Sequence, residues 1–283
     1  MAPDQFDAWL RDPDRRPLVM GVLNVTPDSF SDGGQFHGTD AAVARAEAMA
    51  AEGADWIDIG GESTRPGSRP VEPVEQIRRV VPVVKAIRGR GVNVILSIDT
   101  TRAAVASAVL AEGVSVINDI SAGRDDPPVL QLAARTGCPI ILMHMQGTPE
   151  TMQMAPTYRD VTAEVGQFLQ DRAQVAVAAG VARERVLLDP GIGFGKTVSH
   201  NLQLLRRLPE LAGLGYPLVV GASRKGFIGK VLGQSDPERR VYGTAATVAW
   251  SVANGAAVVR VHDVEPMSQV VRIVRAIQHP PGD

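Results

Sequence analysis

The sequence is poor in the residues that mark several common functions. It contains a single cysteine. That residue, Cys138, sits in the apolar run Cys138-Pro-Ile-Ile-Leu142, so neither an intramolecular disulfide nor a Cys-type zinc site can form from it. A buried, inert thiol is the expectation. Aromatic residues make up only 4% of the chain, which leaves little on which nucleic-acid bases could stack. The formal net charge is −2, far from the basic excess that steers a protein to nucleic acid or to an anionic membrane. No apolar run approaches the roughly 20 residues needed to span a bilayer. Residues 1–16 mix acids and bases without an apolar core, so they do not read as a secretory signal. His-Glu-x-x-His, a Walker loop and a Ser-His-Asp order are also missing. These absences point to a soluble, cytoplasmic protein that works on small molecules.

What is present is a rhythm. The chain has 283 residues, of which 45% are hydrophobic, enough for one large core. Short apolar, β-branched runs occur at Leu18–Asn24, Trp56–Gly60, Asn93–Asp99, Val114–Asp119, Pro139–His144, Val186–Asp189, Pro217–Ala222 and Ala256–His262. They lack polar alternation, as expected of parallel strands buried on both faces. Helix-period segments lie between them: Val74, Ile77, Val81 and Val84; Val161, Val165, Phe168 and Val175; Val241, Thr244, Val248 and Val252; Val270, Val271, Val274 and Ile277. Thr39 or Asp40 suits the start of the first helix and Gly53 its end; Ser199 precedes a later helix and Gly113 follows another. Strand–helix alternation repeated eight times predicts an α/β protein, a single-domain (β/α)8 TIM barrel over residues 17–283, with a doubly wound sheet as the competitor. Residues 1–16 read as a loosely attached arm. The stretches 26–38 and 62–73, rich in Gly, Pro, Ser and Thr, read as long functional loops.

A barrel carries its active site at the carboxyl ends of its strands. The runs end in Asn24; in Glu62-Ser-Thr-Arg65; in Asp99; in Asn118 and Asp119; in His144; in Asp189; in Ser223-Arg-Lys225; and in Arg260 and His262. One such residue is as easily a helix cap. A polar group on every rim is better explained by a ligand, because crowded charges repel and are costly to desolvate. Asp119 is the exception: it neighbours Asn118 along the strand and so points the other way. Asp99, Asn118 and Asp189 form an acceptor set suited to an N–H-rich heterocycle such as a 2-amino-4-oxopyrimidine edge. Lys225, Arg260 and His262 form a cationic set in the region where barrels often hold phosphate. The implied substrate has an aminopyrimidine-like head and an anionic, phosphorylated tail. Gly191-Ile-Gly-Phe-Gly-Lys196 superficially resembles a dinucleotide fingerprint, but it does not open the first βα unit and no ribose-binding acid follows it.

At this point the residues match a known family. The chain resembles the dihydropteroate synthases, folate-pathway enzymes inhibited by sulfonamides. The resemblance rests on the segment from Gly21 to Gly34 with its Asn-Val-Thr-Pro-Asp-Ser-Phe core, and on Gly61-Glu-Ser-Thr-Arg-Pro-Gly67. Ser97-Ile-Asp-Thr100, Ile117-Asn-Asp-Ile120, Asp189-Pro-Gly-Ile-Gly-Phe-Gly-Lys196, Ser223-Arg-Lys225 and Arg260-Val-His-Asp263 follow in family order and cover nearly the whole chain. The first two motifs together are highly specific.

The resemblance implies condensation of 6-hydroxymethyl-7,8-dihydropterin pyrophosphate with p-aminobenzoate, giving 7,8-dihydropteroate and pyrophosphate with Mg2+. It implies that Asp99, Asn118, Asp189 and Lys225 hold the pterin, with Ile120 and Met145 sandwiching its ring. Arg65, Arg260 and His262 would hold pyrophosphate, and Asn24 would help place Mg2+. Phe30, Thr64, Pro66 and Phe194 would build the p-aminobenzoate pocket. Asp32 would face developing positive charge, so that Asp32, Lys225 and Arg260 form the catalytic set of a dissociative, SN1-like displacement. A homodimer is also implied, and the Val241–Val252 helix offers an apolar face for it. One position departs from the family: Gly226 stands where many relatives carry a serine that touches the p-aminobenzoate carboxylate. The rival readings are a pterin-binding methyltransferase domain, which should lack the two long loop motifs and Ser223-Arg-Lys225, and a catalytically silent paralogue.

Overall fold

The computed structural model describes residues 1–26, 34–63 and 67–280, without the side chains of 34–37. The strands are β1 (Leu18–Asn24), β2 (Trp56–Gly60), β3 (Ile95–Asp99), β4 (Val116–Asp119), β5 (Ile140–Met143), β6 (Val186–Asp189), β7 (Leu218–Val220) and β8 (Ala256–Val261). All neighbours pair in parallel and β8 closes on β1, forming a complete barrel. The helices are α1 (Phe6–Arg11), α2 (Gly34–Ala51), α3 (Pro73–Gly89), α4 (Ala103–Leu110), α5 (Pro128–Thr136), α6 (Val161–Ala178), α7 (Val198–Arg206), α8 (Leu208–Ala212), α9 (Gly226–Leu232), α10 (Val241–Ala253) and α11 (Val264–Gln278). No helix among the described residues is long and apolar enough to cross a membrane.

Strand parity divides the side chains into two cores. Outward-facing residues such as Val19, Ile57, Leu96, Ile117, Leu142 and Leu188 pack with the helices. Inward-facing residues at the amino ends of the strands, including Leu18, Met20, Trp56, Ile95, Val116, Ile141, Leu187 and Val219, fill the barrel floor.

The first sixteen residues are not a loose arm. Phe6, Trp9 and Leu10 join the floor cluster and close it from below. Phe6 stacks on Trp9 at 5.4 Å and meets Trp56 edge-on at 5.3 Å. Trp9 Nε1 donates to the Arg16 carbonyl at 2.7 Å, and Arg16 pairs with Asp55. The i, i+3, i+4 spacing of these apolar residues is that of a one-sided helix.

Other expectations shift by a turn or a face. α2 begins at Gly34, so Thr39 and Asp40 lie inside it, and the glycines of that extension carry no helix signal. α3 buries Val80, Val83, Val84 and Ile87, while Val74 is 78% exposed. The crowded valines offer several stripes, and the stripe counted from Val74 is not the one that packs. In α6, Leu169 and Ala173 are buried while Val175 faces out. In α11, Met267 and Val271 pack inward while Ile277 is exposed. α7 is capped by Thr197, not Ser199; Thr197 and His200 exchange reciprocal bonds. In α10, Thr244, Val248 and Val252 are buried in this chain's own core and offer no interface. Its outer face carries Tyr242 and Trp250 instead.

Candidate active site

The inward polar residues converge at the carboxyl end of the barrel. Asp99 and Asn118 are register partners on β3 and β4, and Asp189 ends β6. With Ile120, Met143, Phe194, Lys225 and Arg260 they line a narrow cavity of about 20 Å³, room for roughly one water molecule. A larger cavity of about 530 Å³ lies on the opposite face, beside Phe6, Leu110 and Cys138. Its charged side chains, Asp7 and Arg185, pair with each other, so the smaller, polar cavity is the site. Cys138 is buried, and burial pushes its thiol up to about 12.

Arg260 lines the cavity and bridges two carboxylates. Its Nε donates to Asp58 Oδ2 at 2.7 Å and its Nη2 to Asp99 Oδ2 at 2.8 Å. Burial works against this charge, but the two carboxylates hold its pKa above the ordinary value. Burial likewise drives the Asp99 carboxyl upward against the pull of Arg260. Asp189 accepts from the Gly191 N–H at 2.7 Å, and burial raises its carboxyl to about 6. Burial, aided by Arg260, lowers Lys225 to about 8, and its Nζ lies 4.0 Å over the Phe194 ring.

Asp58 was missed in the sequence. It is fully buried in the middle of β2 and binds Asn118 and Ser97 as well as Arg260. A signal existed: Asp58 is a charge inside an apolar strand, at the same parity as inward-facing Trp56. Gln76 was missed too. It donates to Glu62 Oε2 and to the Val71 carbonyl and accepts from Thr100, tying the described ends of the second loop to α3 and β3.

The remaining rim residues sort by what they touch. Asp119 accepts from Ser121 and Gly123 and caps its own turn, as its parity predicted. His144 turns out of the cavity: its Nδ1 lies 2.9 Å from Lys196 Nζ, and its ring meets Phe168 edge-on. Lys196 also donates to the Gly191 and Phe194 carbonyls at 2.9 Å each, holding the glycine-rich loop together. His262 pairs with Ser223 at 3.0 Å. Burial and the nearby Arg260, Arg224 and Lys225 lower His262 to about 3, so it is a neutral hydrogen-bonding group rather than the cation expected. Met145 is buried in one apolar cluster with Ile120, Met143, Met152 and Phe194, but Met143 is the methionine on the cavity wall. Phe30, Asp32, Thr64, Arg65 and Pro66 lie outside the described residues.

Asn24 ends β1 at the rim. A side chain on Gly60 would stand 3.6 Å from Asn24 Oδ1 and 3.7 Å from Asp99 Cβ, so this glycine keeps the way open between them. No group of three or more His, Cys, Asp or Glu among the described residues could hold a metal. A lone amide oxygen does suit Mg2+, which keeps most of its waters and arrives on substrate phosphates.

A closed barrel with buried carboxylate and amide acceptors at its mouth, flanked by Lys225 and Arg260, is the layout of a pterin-binding enzyme. A family model described as pterin binding enzyme matches residues 20–262. The chain is 49% identical to the dihydropteroate synthase of Synechocystis sp. over 93% of its own length and 91% of the relative's. It is 47% identical to that of Escherichia coli K12, over 92% and 91%. The structure of Xanthomonas albilineans dihydropteroate synthase with 4-aminobenzoic acid superposes with a TM-score of 0.88 at 45% identity, covering 94% of each chain. The enzyme from that organism in complex with 7,8-dihydropteroate gives 0.84 at 42% identity, covering 94% of this chain and 95% of that one. The chain belongs to the dihydropteroate synthase family.

Proposed function

We infer that this protein condenses 6-hydroxymethyl-7,8-dihydropterin pyrophosphate with p-aminobenzoate to form 7,8-dihydropteroate and pyrophosphate. The observation that carries the reading is the ring of buried acceptors, Asp99, Asn118 and Asp189, with Lys225 and Arg260 beside it. Two carboxylates and an amide match the N–H-rich edge of a pterin. Lys225 donates to the pterin carbonyl or ring nitrogen, and Ile120 and the Met143–Met145 cluster flank the ring. The tail faces Arg260, His262 and, from the second loop, Arg65. Mg2+, held in part by Asn24, would neutralise the leaving group when bound.

In this reading the C–O bond to pyrophosphate breaks first, and its electron pair leaves with the phosphate. The electron-rich dihydropterin carries the resulting cation at its exocyclic methylene, and Asp32 stabilises it electrostatically. The neutral arylamine nitrogen, seated among Phe30, Thr64, Pro66 and Phe194, then forms the C–N bond and releases a proton. No strong general base is required. Sulfonamides would compete for the arylamine site; a Yersinia pestis relative, 47% identical, has been solved with a sulfonamide drug complex. A homodimer, if formed, uses a surface other than the buried face of α10. A cytoplasmic setting fits the lone buried thiol.

The test is pyrophosphate release from the pterin pyrophosphate with Mg2+, with and without p-aminobenzoate. Arylamine-dependent release with dihydropteroate formed is expected. Tight pterin binding without turnover would point instead to a silent paralogue.

A further inference from the structure

Asp58 does not line the cavity, yet two residues of the site, Asn118 and Arg260, hang on it. Its Oδ1 accepts from Ser97 Oγ, which itself accepts from Trp56 Nε1 at 2.7 Å. Its Oδ2 accepts from Asn118 Nδ2 at 2.9 Å and from Arg260 Nε at 2.7 Å. It sits one layer below the cavity, because Asp58 is the register partner of Ser97 while Gly60 is the partner of Asp99. A carboxylate can only accept here. The Asn118 amide nitrogen is therefore committed downward, and its oxygen is left for a ligand.

Arg260 is divided between two carboxylates of different standing. Asp58 is fully buried beneath the cavity, whereas Asp99 is on the cavity wall and faces the ligand. A heterocycle with paired N–H donors seated on Asp99 competes with Arg260 for the oxygen that holds its Nη2 at 2.8 Å. Arg260 lines the cavity beside Asp99, so the guanidinium stands where a ligand head would approach that carboxylate.

We propose that Asp58 is a positioning residue on which Arg260 pivots. When the ligand head takes Asp99, Arg260 Nη2 is released while its Nε stays on Asp58, and the freed guanidinium edge turns to the anionic tail. This rests on the reading of the substrate as a pterin head with a pyrophosphate tail. Head binding then completes the tail site, and by linkage the tail strengthens head binding by the same factor. Without Asp58, Arg260 has no second anchor. It either stays on Asp99 or leaves without orientation, and Asn118 loses the contact that sets its amide.

The experiment is calorimetric titration of inorganic pyrophosphate with Mg2+ and of 6-hydroxymethylpterin, each alone and each with the other saturating. The wild-type protein should bind either fragment about tenfold more tightly in the presence of the other. Asp58→Asn keeps the volume and removes the charge; the coupling factor should fall toward one. Arg260→Lys keeps the positive charge and Asp58 but loses the Nε contact. It should lose the coupling as well, and it serves if Asp58→Asn does not fold. Wild-type protein that forms dihydropteroate yet binds the two fragments independently would sink the pivot alone, as would a folded Asp58→Asn variant with full coupling. Failure of the wild type to bind 6-hydroxymethylpterin at all would overturn the substrate reading and the pivot together.

Discussion

Arg224 and Asp263 form a bidentate ion pair across the loops that follow β7 and β8, Nε to Oδ2 at 3.0 Å and Nη2 to Oδ1 at 2.6 Å. Arg224 holds a left-handed backbone, φ +58, which costs a non-glycine residue about 1–2 kcal/mol. Its backbone is pinned by Thr244 Oγ1 and by Arg240 Nη1, at 3.1 and 2.9 Å. The strained residue lies directly before Lys225 and aims that side chain at the cavity.

Asp263→Asn should therefore damage the site without touching substrate. The pair is partly exposed, so a stability loss of about 1–3 kcal/mol is expected in thermal unfolding. The specificity constant for the pterin pyrophosphate should fall about tenfold, chiefly through KM, because Lys225 is less well aimed. A folded Asp263→Asn enzyme with unchanged KM and kcat would show that the strained turn holds itself.

The pH dependence follows from two buried groups. Asp189, pushed up to about 6 by burial, must be ionised to accept pterin N–H bonds. Lys225, lowered to about 8 by burial, carries its charge only below that value. The free-enzyme kcat/KM should rise through about pH 6 and fall through about pH 8. Lys225→Arg should remove the alkaline limb at some cost in rate. Stability has its own sign. The folded state holds the Asp189 proton more tightly than the unfolded chain, so this group's contribution is lost as pH rises from the ordinary carboxylate range through about 6. Thermal melts of ligand-free protein across that range read this directly.

How far the sequence revealed the site depended on where each residue stands in its strand. Asp99, Asn118, Asp189 and Arg260 stand out because each interrupts or ends an apolar run at inward parity. Asp58 has the same parity but lies two residues short of its strand's end, where a rule about carboxyl ends does not look. His144 and His262 are the same residue type in similar rim positions. Only the three-dimensional neighbourhood shows that the first props up the Lys196 loop and that the second is neutral. Helices were visible as segments but not as faces. In α3 the run Val80-Val-Pro-Val-Val84 supports more than one stripe, and packing against the barrel selects among them.

The glycines of the loop after β6 are a packing device, which gives a clean contrast. A Cβ on Gly191 would lie 1.9 Å from the His144 carbonyl oxygen, at φ +65. A Cβ on Gly195 would lie 2.4 Å from the Gln146 carbonyl oxygen. Gly191→Ala must displace one loop from the other and should cost about 3 kcal/mol or more, with loss of pterin binding. Gly226, at the first position of α9, has no positive φ and, among the described residues, nothing within 4 Å of a Cβ. Gly226→Ser should leave stability unchanged or raised by up to about 1 kcal/mol. If its hydroxyl reaches the arylamine carboxylate, KM for p-aminobenzoate should drop several-fold at constant KM for the pterin. Unfolding curves and the two KM values decide both parts.

The plug at the barrel floor separates stability from catalysis. Trp9 is 5% exposed, stacks on Phe6 and donates to the Arg16 carbonyl. Its cluster lies at the amino ends of the strands, away from the cavity lined by Asp99 and Lys225. Trp9→Ala removes a large buried ring and leaves a void that the rigid strands above cannot fill. A loss of about 3–5 kcal/mol in unfolding free energy is expected. Below the melting temperature, both KM values and kcat should stay within about twofold of wild type, since barrel folds keep stability and catalysis at opposite faces. A proportionate fall in kcat at low temperature, with the protein still folded, would mean that the floor transmits strain through Trp56, Ser97 and Asp58 to Arg260. The bonds from Trp56 Nε1 to Ser97 Oγ and from Ser97 Oγ to Asp58 supply a direct polar route for it.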